Sequence, residues 1–160
     1  MQVGRVIKFR AWDPDREKMM IPMVLNWWQD EGAPAFMSEF IDRDAPHECT
    51  TKYMYEVDML QYAGIHDKKG NEIYAGDIVE LPLDGGETRL LVVAIETVMR
   101  EVVSHPSFDG ATAKVAITGV VFKWKGYELF PCINKGIPDN LKMEVVGNIY
   151  ENPELLEVGK

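Results

Sequence analysis

Polar and apolar residues alternate with a period of two along residues 3–12. Ile7, Phe9 and Ala11 fall on one face, Lys8 and Arg10 on the other, as in a strand with one buried side. Asp13-Pro14 then opens a turn, because proline presets φ and an Asp side chain can cap the bend. The apolar run 19–28 contains Pro22, which a helix interior would not accept, so it reads as a second strand forming a hairpin with the first. Residues 29–50 carry no clear period; 34–42 fits a short helix with Phe36, Phe40 and Ile41 on one side. Residues 52–62 alternate again, Tyr53, Tyr55, Val57 and Met59 against Glu56 and Asp58, giving a strand with a helix as the alternative.

The chain between Leu60 and Val79 is different. Three glycines, Gly64, Gly70 and Gly76, punctuate short apolar or β-prone runs. Asp67-Lys68-Lys69-Gly70 has the chemistry of a type I turn closed by a left-handed residue, with the Asp side chain accepting from an amide two residues on and the lysines facing water. Ala75-Gly76-Asp77 makes a second turn into a strand over 77–83. A calcium loop is excluded, since Lys69 stands where an oxygen ligand belongs and Glu72 where the sharp turn needs glycine. No Gly-x-x-x-x-Gly-Lys-Ser/Thr phosphate loop is present. The stretch is structural punctuation: corners joining short ribbons.

Beyond it, strands are expected over 87–97, 114–124, 127–132 and 143–150, with 97–104 either continuing a strand or forming a helical turn. Loops are expected at 105–111 and 133–141. Short strands with turn signals every 8–12 residues favour a small barrel or a sandwich.

Composition narrows the functional classes. A chain of 160 residues, 46% of them hydrophobic, suits one compact domain or a domain with an N-terminal arm, and needs no metal or disulfide to hold its core. The longest apolar run, 90–95, is far too short to span a bilayer, and no signal-peptide core opens the chain; the expected address is the cytoplasm. Cys49 and Cys132 are far apart in sequence and read as free thiols. A formal charge of −9 argues against binding polyanions through the whole-molecule field. Residues 114–127 nevertheless hold three lysines and no acid, leaving room for a local basic face.

Candidate catalytic groups are sparse. His47 and Cys49 have metal-ligand spacing, but His66, His105 and Cys132 belong to other elements, and a site needs three or four ligands. Ser38, Ser104 and Ser107 lack a nucleophile-elbow setting. Carboxylates such as Asp13, Asp15 and Glu17 read as turn residues. No catalytic residue, metal ligand or cofactor site is therefore expected, and the chain is read as a non-enzyme. Trp27-Trp28, if extended, point to opposite faces, which makes Trp28 a candidate partner contact. The sharpest hint is Lys123-Trp124-Lys125-Gly126-Tyr127. In a strand both lysines share a face and Trp124 takes the other, so either Trp124 is core above a solvated lysine face, or Lys123, Lys125 and Tyr127 meet a partner.

Three segments resemble the YopX family of phage and prophage proteins: Ile7-Lys8-Phe9-Arg10-Ala11-Trp12-Asp13; the run from Gln61 through Asp67-Lys68-Lys69-Gly70 to Val79; and Val145-Val146-Gly147-Asn148-Ile149-Tyr150-Glu151-Asn152-Pro153-Glu154-Leu155-Leu156. Ala63, His66 and Ala75 depart from residues common in the family, and 84–113 is longer than expected. The resemblance implies a mostly β protein with minor α content, an SH3-like small barrel in its second half, and origin in a mobile element, with oligomers among the expectations. It supplies no catalytic residues. The resulting division is an N-terminal β-hairpin and strand extension at 1–63, the barrel at 64–153 and a tail at 154–160. Its turn signature comprises Gly64, Asp67, Gly70, Gly76, Asp77 and Gly147. The expected function is non-catalytic binding of a protein partner, with a nucleic-acid-associated role as the alternative and an enzyme of unknown class as the second alternative.

Overall fold

The computed structural model describes residues 6–26, 37–103, 107, 111–134 and 136–157. The chain is mostly strand, with short 3-10 turns. β1 (Phe9–Asp13), β2 (Lys18–Val24), β3 (Ser38–Asp42), β4 (Cys49–Lys52), β5 (Asp58–His66) and β6 (Glu72–Tyr74) form one antiparallel sheet in the order β4-β3-β2-β1-β5-β6. β7 (Asp77–Pro82), β8 (Thr88–Val103), β9 (Thr112–Trp124), β10 (Tyr127–Leu129) and β13 (Glu144–Asn148) form a second, ordered β10-β9-β8-β7-β13. A two-stranded ribbon, β11 (Ile133–Asn134) with β12 (Ile137–Pro138), lies between β10 and β13 in the chain.

The first hairpin has the expected register, Trp12 opposite Met19 and Asp13 opposite Lys18. Strand periodicity lets the first sheet bury both faces. Ala11, Met20, Phe40 and Val57 pack on one side; Trp12, Met19 and Leu60 pack on the other, where Tyr150 stacks on Trp12 with ring centroids 5.5 Å apart. The main core, Ala63, Ile73, Val79, Leu91, Val93, Phe122 and Met143, draws on β5 to β9 and on the segment before β13, so it joins the two sheets.

Four expectations are corrected. The helix proposed within 34–42 is strand β3 over Ser38–Asp42, because pairing with both β2 and β4 outweighs a weak local helical pattern. The proposed strand over 52–62 begins instead with a 3-10 turn at Met54–Glu56, capped by the Glu56 carboxylate accepting from the Tyr53 amide at 2.7 Å. The loop at 133–141 contains the small β11–β12 ribbon and a 3-10 turn at Asp139–Lys142. The barrel is open: among the described residues no ladder returns β13 to β10. One ambiguity is resolved: β8 runs through to Val103, paired with β9 out to Thr112. Trp28, His105 and the Asp109-Gly110 turn lie outside the described residues.

A candidate partner-binding groove

Polar chemistry gathers in two places, the junction between the sheets and a groove beside β9 and β10. At the junction Asp67 is buried, yet its carboxylate is fully engaged. Oδ1 accepts from the amides of Lys69 and Asn71, both at 2.8 Å, while Oδ2 accepts from Asn71 Nδ2 at 3.0 Å and from the Val145 amide at 3.1 Å. The Gly70 amide closes the turn on the Asp67 carbonyl at 3.1 Å, with Gly70 at φ +86°. Burial alone would raise the Asp67 pKa; the hydrogen bonds from Asn71, Val145 and Lys69 overcome it and hold the carboxyl below its ordinary value. The lysines of this turn are exposed, as expected, but both also meet a carboxylate. Lys68 reaches Glu144 Oε2 at 2.7 Å and Lys69 pairs with the same carboxylate.

Asp77, also buried, accepts from the Tyr74 amide at 2.7 Å and pairs with Arg10 of β1, whose guanidinium lies 4.0 Å above the Tyr74 ring. Burial pushes the Asp77 carboxyl up, and Arg10 only partly offsets it. Gly76, at φ +85°, donates its amide to Val93 at 2.8 Å and accepts from Ile149 at 2.9 Å. A Cβ there would sit 3.4 Å from Leu60 Cδ2 and 3.5 Å from the Tyr150 ring. Gly147 is needed for space: a Cβ would come within 2.5 Å of Asn152 Oδ1. Gly64, at φ +82°, lies where the β5–β6 register shifts.

The remaining buried carboxylates are engaged as well, although Asp13 Oδ2 has only Arg16 Nε, 3.9 Å away. Asp13 caps its own turn through the amides of Asp15 and Arg16 and binds Lys52 Nζ at 2.6 Å; Asp42 does the same with Asp44, Ala45 and Lys18. No group of three or more His, Cys, Asp and Glu residues suited to a metal ion occurs among the described residues, and Cys49 and Cys132 are exposed free thiols.

The groove is the other place. It encloses about 1060 Å³ between the start of β8, the β9–β10 hairpin and the 3-10 turn Pro153–Leu156. The hairpin turns through two residues, Lys125 at φ +46° and Gly126 at φ +82°, the left-handed pair that matches strand twist. Trp124 and Tyr127 are therefore cross-strand neighbours, and their rings stack 5.8 Å apart. The guanidinium of Arg89 lies 4.1 Å from the Trp124 ring centre, and Lys125 Nζ lies 5.9 Å from it. Leu90, Val92, Leu155 and Leu156 supply the apolar lining.

Lys123, Lys125 and Tyr127 all line this groove, but they are not one lysine face. Lys125 belongs to the turn, and Lys123 is paired with Glu96 at 2.7 Å. Trp124 is neither simply core nor simply surface: it is half-buried, packing partly against the main core while fronting the groove. Arg89 and the two leucines were missed because they come from distant stretches; the only sequence signal was an arginine opening an apolar strand. Arg89, Lys114 and Lys125 are the lysines and arginines without a carboxylate partner among the described residues.

The family model described as YopX protein matches residues 8–157. The chain belongs to the YopX family. Both the Asp67 junction and the groove lie inside the matched span, so they are features of the YopX region of the chain. Among solved structures, this YopX protein is similar to the crystal structure of protein EF1440 from Enterococcus faecalis. The TM-score is 0.54 at 21% identity, over 96% of this chain and 99% of that one, a likeness of fold. No curated protein matches the chain.

Proposed function

We propose that this YopX protein is a non-catalytic interaction module, encoded by a phage or prophage and working in the bacterial cytoplasm, that binds a protein partner through the groove beside Trp124. One observation carries the reading: the buried acids are engaged by turns and ion pairs, whereas Arg89 and Lys125 have no carboxylate partner among the described residues and sit around the Trp124–Tyr127 pair. Catalytic acids need a perturbed group aimed at a cavity, and the perturbed carboxyls here are engaged in turn hydrogen bonds and ion pairs. The SH3-like character of the second half belongs to the same reading, with β7 to β10 and β13 as the binding sheet.

The test is co-purification of the tagged full chain from host cells carrying the element, beside a Lys125→Gln/Tyr127→Ala variant. A stoichiometric protein partner lost in the variant is expected. Identical partner sets for both chains would overturn the reading.

Self-association is a second use, favoured by the exposed Met99, Val102 and Val103 on the projecting β8–β9 ribbon, because a bare two-stranded ribbon gains stability from a neighbour. Light scattering should give a multiple of the 18.2 kDa chain mass; a clean monomer removes this use without touching the groove.

A further inference from the structure

Resting on the binding-module reading, we infer that the groove beside Trp124 takes a short peptide segment carrying a carboxylate next to an aliphatic or aromatic anchor. Three features select that occupant. The first is charge. On a chain of formal charge −9, most described cations are neutralised by carboxylates, but Arg89 and Lys125, both set against the Trp124 ring, are not. An arginine resting over an indole still offers its fork of N–H donors, which can meet a carboxylate through two parallel hydrogen bonds.

The second feature is the lining. Leu90, Val92, Leu155 and Leu156 line the same groove as the cations, so an occupant must bring apolar surface along with its negative charge. The exposed Tyr127 ring, stacked on Trp124, extends that surface at the rim. Sugar and phosphate would leave these leucines wet, while a Leu or Phe side chain buries them.

The third feature limits the amount of negative charge. Lys123 is already paired with Glu96, and Glu87 and Glu128 also line the groove, Glu128 held at 3.4 Å by Arg100. A continuous polyanion would meet these acids as well as the negative field of the whole molecule. A peptide with one or two acids does not. Single-stranded nucleic acid is therefore disfavoured, although stacking on Tyr127 would suit a base.

The experiment titrates the full chain into fluorescein-labelled ten-residue peptide pools and follows anisotropy. Each pool has a fixed Leu or Phe flanked by two fixed positions, which are Glu in one pool, Gln in the second and Lys in the third; a labelled twelve-residue oligo-deoxythymidine is run in parallel. The Glu pool is expected to bind about tenfold more tightly than the Gln pool, as charge-assisted contacts to Arg89 and Lys125 imply. That preference should vanish in Arg89→Gln/Lys125→Gln, whose circular dichroism and melting temperature should match wild type. Equal affinity for the Glu and Gln pools, or tighter binding of the oligonucleotide, overturns the acidic-segment inference while leaving a binding module. Failure of every pool and of the oligonucleotide to bind overturns the inference and removes the groove from the module reading as well.

Discussion

The Asp67 junction and the Trp124 groove use the same residue types to opposite ends. At the junction, charged groups are matched: Asp67 receives four hydrogen bonds, Asp77 has Arg10 and an amide, and Glu144 has two lysines. In the groove, arginine and lysine sit on an aromatic ring with no carboxylate partner among the described residues. Most junction charges are thus tied to one another within the fold, whereas the groove cations are left open, which is why the proposed binding role is assigned to the groove. Aromatic density alone would not distinguish them, since Tyr62 and Tyr74 pack at the junction as Trp124 and Tyr127 do in the groove.

Mutations should therefore separate stability from binding along the same line. The largest stability loss is expected from Arg10→Met, which leaves Asp77 buried without its counter-charge and should lower unfolding free energy by about 3–5 kcal/mol in urea titrations. Its pH dependence follows from sign. The Asp77 pKa is already raised in the folded state, so folding favours its protonated form, and losing Arg10 raises the value further. The deficit relative to wild type should widen as pH rises through the titration range and shrink in acid; a pH-independent deficit would exclude this account.

Asp67→Asn comes next. Its Oδ1 would still accept from the Lys69 and Asn71 amides, but its Nδ2 would meet the Val145 amide and Asn71 Nδ2, donor against donor, for a loss of about 2–3 kcal/mol. Because the Asp67 pKa is lowered in the fold, wild type holds this stabilisation above the ordinary Asp value of 3.8 and loses it as pH falls through the lower folded value. The variant should show a shallower acid transition on that account. Gly76→Ala, forced into a left-handed conformation, should cost about 1–2 kcal/mol by thermal or chemical melting. At the other extreme, Arg89→Gln and Lys125→Gln should change stability by no more than about 0.5 kcal/mol and alter only what the groove holds. A destabilisation there equal to that of Asp67→Asn would erase the distinction between the two regions.

How much of this was readable from the chain depends on how local the cause is. The Asp67–Gly70 turn was, because its hydrogen bonds run within four residues; so were the β1–β2 hairpin and the strand status of 114–124. The fate of Lys68 and Lys69 was not, since Glu144 is 76 and 75 positions away, a separation no window captures. Strand β3 was misread because its Phe36, Phe40 and Ile41 pattern matches a helix face until β2 and β4 lie beside it. For the groove, Lys123, Lys125 and Tyr127 were singled out correctly as neighbours in space, but their grouping assumed a straight strand. The left-handed backbone at Lys125 broke that assumption, and the partners from β8 and the Pro153–Leu156 turn could emerge only from tertiary structure.

The hydrogen bond from Val145 to Asp67 has a consequence for biosynthesis. The middle of the molecule is sealed by a strand that is translated after every other strand of its sheet: β7 has an unpaired edge until residues 144–148 arrive. A nascent chain can close its first hairpin and the long β8–β9 ribbon as they emerge, but the centre must wait. Translation stalled before Val145 would thus leave an adhesive, half-zipped intermediate, and the cell's chaperones would meet this protein at its centre.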